Sequence, residues 1–196
     1  VSVMKVSDGH VVVGAGVMGL ACALEIRRRG FEVTVFERGV PGREATWAAA
    51  GVVAPHHYEA TPGPLYELLK RSRSLYPTFI ESLGAPDVGW HGSGAIALAR
   101  TIDEAEELES RVAWLADDGY DAYTISRPKL RELEPACTAA CVGAAFFPSD
   151  AYIDPRRLIA ALEHAAIAAG VNVRSGVPVR AIQTNGERVT GITLDD

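Results

Sequence analysis

Between His10 and Arg38 the chain passes through three apolar residues, Val11 to Val13, and a glycine turn, Gly14-Ala15-Gly16-Val17-Met18-Gly19. A helix-like apolar stretch then runs to Gly30, and an alternating segment, Phe31 to Phe36, ends on Glu37 and Arg38. Strand, glycine turn, helix, strand and acidic end in this order form the fingerprint of a dinucleotide-binding β-α-β unit. Gly14 permits the tight turn, Gly16 lets backbone approach a pyrophosphate, and Gly19 lets the helix lie close on the sheet. The amides that open the helix, Gly16 to Met18, face the phosphates, where free N–H groups and the helix dipole favour negative charge. Glu37 stands 23 positions after Gly14, near the roughly 20-residue spacing of a carboxylate that holds ribose hydroxyls. A carboxylate there repels a 2′-phosphate, which disfavours an NADP-type ligand.

The 196 residues, 48% of them hydrophobic and 22% charged, suffice for a packed core without covalent staples. A formal charge of −6 argues against nucleic acid or an anionic membrane as partner, since both call for a basic surface. No run of eighteen apolar residues and no basic-then-apolar leader is found, so neither a membrane span nor a signal peptide is expected. Cys22, Cys137 and Cys141 are odd in number and lack CxxC spacing, which fits reduced thiols in a cytoplasmic protein. The adjacent pair His56-His57 is poorly spaced for one metal, so no metal site is expected.

The first helix, Gly16 to Arg29, is expected to bury Met18, Leu20 to Leu24 and Ile26, with Cys22 in the core. Its basic end, Arg27-Arg28-Arg29, complements the helix dipole, and Gly30 stops it. The small-residue segment from Val40 to Pro55 is read two ways, as a buried alanine helix or as close backbone contact with a flat ligand; its position after Glu37 favours the ligand. An amphipathic helix, roughly Leu65 to Leu83, draws its apolar positions from Leu65, Leu68, Leu69, Leu75, Phe79, Ile80 and Leu83, with Pro77 kinking or breaking it.

Further strands are expected at Ala95 to Ala99, Tyr123 to Ile125 and Val142 to Phe147. Asp103 to Asp117 reads as a charged, solvated helix in which Glu107 can pair with Arg111. Ser126 to Pro135 reads as a short capped helix. Asp154 caps the next helix, Pro155 takes its first position, and Leu158, Ile159, Leu162, Ala165, Ala166 and Ala169 form the apolar face. Val171 to Arg174 then forms a strand, and Pro178 to Ile182 with Val189 to Leu194 form a hairpin about Asn185-Gly186.

Four blocks, Val11 to Gly19, Phe36 to Gly39, Ala45 to Pro55 and Tyr152 to Leu158, with a weaker match at Leu133-Glu134-Pro135, carry a resemblance to the amino-terminal half of the FAD-dependent D-amino acid oxidase family. Within it the chain looks most like bacterial glycine oxidases of thiamine biosynthesis. The resemblance implies an α/β fold: a Rossmann-like FAD-binding domain, with a parallel sheet and a β-meander, and part of an inserted α+β substrate domain. The FAD-binding domain would take residues 1–85 and 151–196, the partial substrate or cap domain 86–150, and the family's carboxyl-terminal half would lie beyond Asp196.

By that resemblance Gly14, Ala15, Gly16, Val17, Met18 and Gly19 hold the FAD pyrophosphate, and Glu37 holds the adenosine ribose with Arg38 beside it. Ala45, Thr46, Ala50, Gly51 and Val52 line the ribityl and flavin, and Val179 meets the adenine. Val52 stands where those relatives carry methionine. The implied reaction is oxidation of a small amine or amino acid, glycine or a short D-amino acid, with hydride passing to the flavin and oxygen released as peroxide. Catalytic residues would lie beyond Asp196, so none is assigned here. The isolated chain is expected to bind flavin weakly and turn over little, and the full-length form could be a homo-oligomer. The alternatives are a non-catalytic FAD-binding fragment that needs a partner chain and an NAD-dependent dehydrogenase, which the segment Ala45 to Gly51 disfavours.

Overall fold

The computed structural model describes residues 2–5, 9–57, 62–85, 87–137 and 141–195. The chain divides into two compact units, one of residues 1–51, 80–89 and 154–196, the other of residues 52–79 and 90–153.

The first unit contains a parallel sheet of β2 (His10–Val13), β3 (Val33–Phe36) and β9 (Asn172–Arg174), with β3 in the middle. The helix α1 (Val17–Arg28) joins β2 to β3, and α6 (Pro155–Ala168) leads into β9. Parallel neighbours need such crossovers, because a tight turn cannot reverse the chain twice. The strand β3 begins at Val33 rather than Phe31, whose side chain is half exposed, so the alternation before Val33 belongs to the turn.

In α1 only Leu20, Ala23 and Leu24 are buried. Met18, 74% exposed, and Cys22, also exposed, were expected inside and are not. Ile26 is only partly covered. The helix is apolar on most sides, yet a helix set on one layer buries only an i, i+3, i+4 stripe. The three arginines at its end have structural partners. Arg27 Nε donates to the Ala169 carbonyl at 3.0 Å, Arg28 Nη2 to the Ser82 carbonyl at 2.8 Å, and Arg29 Nε to Glu25 at 3.0 Å.

Asp154 caps α6 as expected, its Oδ1 accepting from the Arg156 and Arg157 amides at 2.9 and 3.3 Å. Those amides, the Arg156 amide first, hold its carboxyl below the usual aspartate value. Leu158, Ile159, Leu162 and Ala166 form the buried face. A second sheet orders β1 (Ser2–Lys5), β11 (Arg188–Leu194) and β10 (Val179–Asn185), all antiparallel. The β10–β11 hairpin is the one its Asn-Gly turn predicts, while β1 carries no pattern that set it apart. Phe36, Ile192 and Leu194 form the core between this sheet and β3, with Val179 packed against them.

The second unit is built on the antiparallel sheet β5 (Ala95–Ala99), β7 (Gly143–Phe147) and β6 (Tyr123–Thr124), with β7 central. It also contains the helices α4 (Ile102–Asp117) and α5 (Arg127–Leu133). Thr101 and Ser126 cap these, their hydroxyls accepting from the Glu104 and Lys129 amides. Leu108, Leu115, Tyr66, Tyr120 and Phe147 make the main core of this unit. Glu107 and Arg111 form no ion pair among the described residues.

The helix α3 (Pro64–Ser82) passes through Pro77 without breaking. Proline deletes one helical hydrogen bond at a cost of about 3 kcal/mol, and anchors at both ends offset it: Tyr66 near the start and Leu83 just past the end are buried. The apolar face expected on this helix is only partly inside: Leu83 is buried, and Leu69, Phe79 and Ile80 are partly covered. Leu65, Leu68 and Leu75 are about half exposed, and Tyr66 is the helix's buried side chain.

Two short strands, β4 (Val52–Val53) and β8 (Ala151–Tyr152), pair antiparallel beside a single 3-10 turn, Pro55–His57. They bring His56 to Asp150, with Nε2 to Oδ2 at 2.9 Å. The Tyr120 hydroxyl donates to Asp150 Oδ1 at 2.6 Å, and the His56 ring stacks on Phe147. Residues 94 positions apart thus form one buried network. The His57 side chain lies outside the described residues.

Candidate dinucleotide-binding cleft

The first unit carries a cleft of about 440 Å³ along the ends of β2 and β3. Its lining includes Gly14, Gly16, Glu37, Arg38, Ala45, Thr46 and Val179. The ends of parallel strands are where open α/β sheets bind ligands, since the chain leaves the sheet there and the helix begins.

Gly14 holds φ at 97°, a left-handed conformation that side chains rarely adopt, and its amide donates to the Phe36 carbonyl at 2.8 Å. Gly19 faces the same turn. A Cβ on it would come within 1.9 Å of the Gly14 carbonyl oxygen, so only glycine lets α1 start this close to β2. Gly16 is the extended N-cap, and its carbonyl accepts from the Leu20 amide at 3.0 Å. Thr46 Oγ1 accepts from the Val17 amide at 3.1 Å. The amides of Gly16 and Met18 have no partner among the described residues. Unpaired donors at a helix start favour an anion.

Glu37 is 8% exposed. Its Oε2 accepts from the Ala15 amide and its Oε1 from the Gly39 amide, both at 2.8 Å. A carboxylate offers about four acceptor positions, so two amides fix the group and leave capacity for two hydroxyls. Arg38 is turned to another task. Its Nε donates to Glu44 Oε1 at 2.9 Å, in a two-point ion pair. That hydrogen bond raises Arg38 above the usual guanidinium value and draws Glu44 below the usual carboxylate value.

The segment after Glu37 is not a buried alanine helix. Only Ala45–Ala48 form the turn α2, none of it buried. Thr46 reaches the start of α1, while Gly42 donates its amide to the Ala15 carbonyl at 2.9 Å. Ala50, Gly51 and Val52 lie outside the cleft lining, and Val52 opens β4 in the second unit. Met18 and Gly19 do not line it either. Val13, Val40, Arg43 and Pro178 line it without having been singled out from the sequence. Their only signal was adjacency to the glycine turn, to Glu37 and to Val179.

The polar groups fit FAD: free amide donors for phosphates at the helix start, a fixed carboxylate for ribose hydroxyls, and apolar Val13, Phe36, Val40 and Val179 for a ring. Comparison with known proteins agrees. Residues 10–196 match the family described as FAD dependent oxidoreductase, DAO. The bifunctional protein ThiO/ThiG of Synechocystis sp. is 31% identical over 199 residues, covering 98% of this chain and 28% of that protein. The glycine oxidase of Geobacillus kaustophilus is 34% identical over 163 residues, covering 81% of this chain and 43% of the enzyme. The crystal structure of that enzyme superposes with a TM-score of 0.85 at 32% identity, over 90% of this chain and 48% of that one. Glycine oxidase from Bacillus cereus gives 0.86 at 28% identity, over 96% and 51%. The chain thus spans about half the length of the glycine oxidases it matches, and less of the bifunctional protein. With FAD as the family's cofactor, the NAD-dehydrogenase reading falls away: the chain belongs to the FAD dependent oxidoreductase family DAO.

Proposed function

We propose that this chain holds the FAD of an oxidase acting on a small amine or amino acid, with glycine or a short D-amino acid as substrate. The observation that carries the reading is the joint arrangement of the Gly14 turn, the free Gly16 amide at the start of α1 and the fixed Glu37 carboxylate in one cleft. The substrate class rests on the glycine oxidases among its relatives.

Bound FAD would supply the two-electron oxidation of the substrate, with oxygen as the final acceptor and hydrogen peroxide as its product. The chain's own residues bind and orient. Gly16 and Met18 offer amides to the diphosphate, and Glu37 accepts from ribose hydroxyls. Val179 lies against the adenine, and Ala45, Thr46, Ala50, Gly51 and Val52 serve the ribityl and flavin. Residues 1–85 and 151–196 act as the FAD-binding domain and residues 86–150 as part of a substrate domain. Three free thiols suit the reducing cytoplasm.

A second reading is favoured by the share of its relatives that the chain spans, 43% of the Geobacillus glycine oxidase. In it this polypeptide supplies FAD binding and another polypeptide segment completes the reacting side. One experiment separates the two: FAD is titrated into the purified protein, and glycine-dependent peroxide is then followed. FAD binding with peroxide formation supports the oxidase, and binding without it supports the holding role. Absence of FAD binding overturns both.

A further inference from the structure

Within the second unit, β4, the turn after it and α3 line a half-open pocket of about 120 Å³ that shares no lining residue with the dinucleotide cleft. Its apolar walls are Val52, Val53, Pro55 and Leu69, and its polar contributors include Arg73 and Tyr76. Arg73 is half-buried and held in place at two points: Nε donates to the Ser149 carbonyl at 2.8 Å, and the guanidinium carbon lies 4.9 Å from the centre of the Trp90 ring. Its Nη groups have neither a hydrogen bond nor an ion pair among the described residues. Tyr76 stacks on the same Trp90 ring at 5.3 Å. Burial raises its hydroxyl above the usual tyrosine value, so it stays a neutral donor.

A half-buried guanidinium normally finds a carboxylate. Here two acids of the same unit are spoken for. Asp150 receives His56 and Tyr120, and Asp118 receives Tyr66 and Lys70. No Asp or Glu lines the cavity, so nothing there would balance a ligand's ammonium group. Two clustered donors, apolar walls and space for about five heavy atoms define one ligand chemistry.

We infer that the β4–α3 cavity is a binding site for a small monocarboxylate without a cationic group, its carboxylate received by Arg73 and Tyr76 and its short apolar chain by the valine walls. Trp90 pre-positions both donors, which lowers the entropic cost of ordering them. Val52 is the one wall it shares with the flavin contacts proposed above; Arg73 and Tyr76 are not among those contacts. A carboxylic acid freed of its amino group, the product class of the proposed oxidation, has the required chemistry, whereas a zwitterionic amino acid does not.

The test uses propionate as probe, with propionamide and glycine as controls, and reads the Trp90 indole NMR signal, assigned through Trp90→Phe. Propionate is expected to shift that signal saturably, with propionamide and glycine at least about tenfold weaker, the loss expected for a charged hydrogen bond. Arg73→Gln is expected to weaken propionate about tenfold and Tyr76→Phe about threefold, with FAD affinity unchanged in both. Should Arg73→Gln fail to fold after losing its Ser149 contact, Tyr76→Phe carries the test. Equal binding of propionamide, equal competition by chloride at matched ionic strength, or undiminished propionate binding by folded variants would overturn the proposal.

Discussion

The Ala15 amide donates to Glu37 Oε2 at 2.8 Å, tying the glycine turn after β2 to the acid that ends β3. With Gly39 on the other oxygen, the carboxylate is held before any ligand arrives, so little ordering cost remains for the ribose to meet. Glu37→Gln replaces one acceptor by an NH2 that confronts a backbone donor. Stability should fall by about 1–2 kcal/mol in urea unfolding, and FAD affinity should fall with it.

At Gly19 the constraint is steric. Because a Cβ there meets the Gly14 carbonyl oxygen at 1.9 Å, Gly19→Ala must push α1 away from β2. A loss of about 3 kcal/mol is expected from such overpacking, visible as a lower urea midpoint. An alanine that left the midpoint unchanged would mean the helix does not start where the turn places it.

Alkaline pH should weaken the second unit. Burial, first among the causes, raises the Tyr66 and Tyr120 hydroxyls above the usual value of 10, with Asp118 and Asp150 adding to it. The folded state keeps these protons while the unfolded state releases them above pH 10. Their stabilising contribution is therefore complete below pH 10 and falls as pH rises beyond it, by up to about 1.4 kcal/mol per pH unit for each tyrosine. Urea midpoints measured from pH 9 to 12 should show this slope, and Tyr120→Phe should make it shallower.

Much of this architecture was legible because several signals coincide in one short stretch. The Gly14 turn, Glu37, the Asp154-Pro155 helix start and the Asn185-Gly186 hairpin each combine a special backbone need with a periodic neighbour. Where periodicity is ambiguous the reading failed. An α1 that is apolar nearly all round does not reveal that Met18 and Cys22 face outward, and leucines at helical spacing in α3 do not reveal that Tyr66 is the residue taken inside. Strands of two residues, Val52–Val53 and Ala151–Tyr152, carry no period at all. The pairing of His56 with Asp150 is invisible for the same reason: lone polar residues far apart in sequence acquire a partner only through that sheet. In the cleft, Arg38 lines the same wall as Glu37, and its pairing with Glu44 is a contact set by the turn rather than by spacing.

The most direct test of the account is a titration of FAD against the native chain and Gly16→Val, read by quenching of flavin fluorescence. Gly16 has φ −78° and ψ −179°, extended backbone that valine adopts without strain. The variant should therefore fold while its side chain occupies the approach to the diphosphate, beside Thr46 Oγ1, 3.3 Å from a Cβ placed there. The account predicts saturable one-to-one binding by the native chain and a dissociation constant at least about tenfold higher in the variant. Stoichiometric FAD retained with undiminished affinity by Gly16→Val would contradict it.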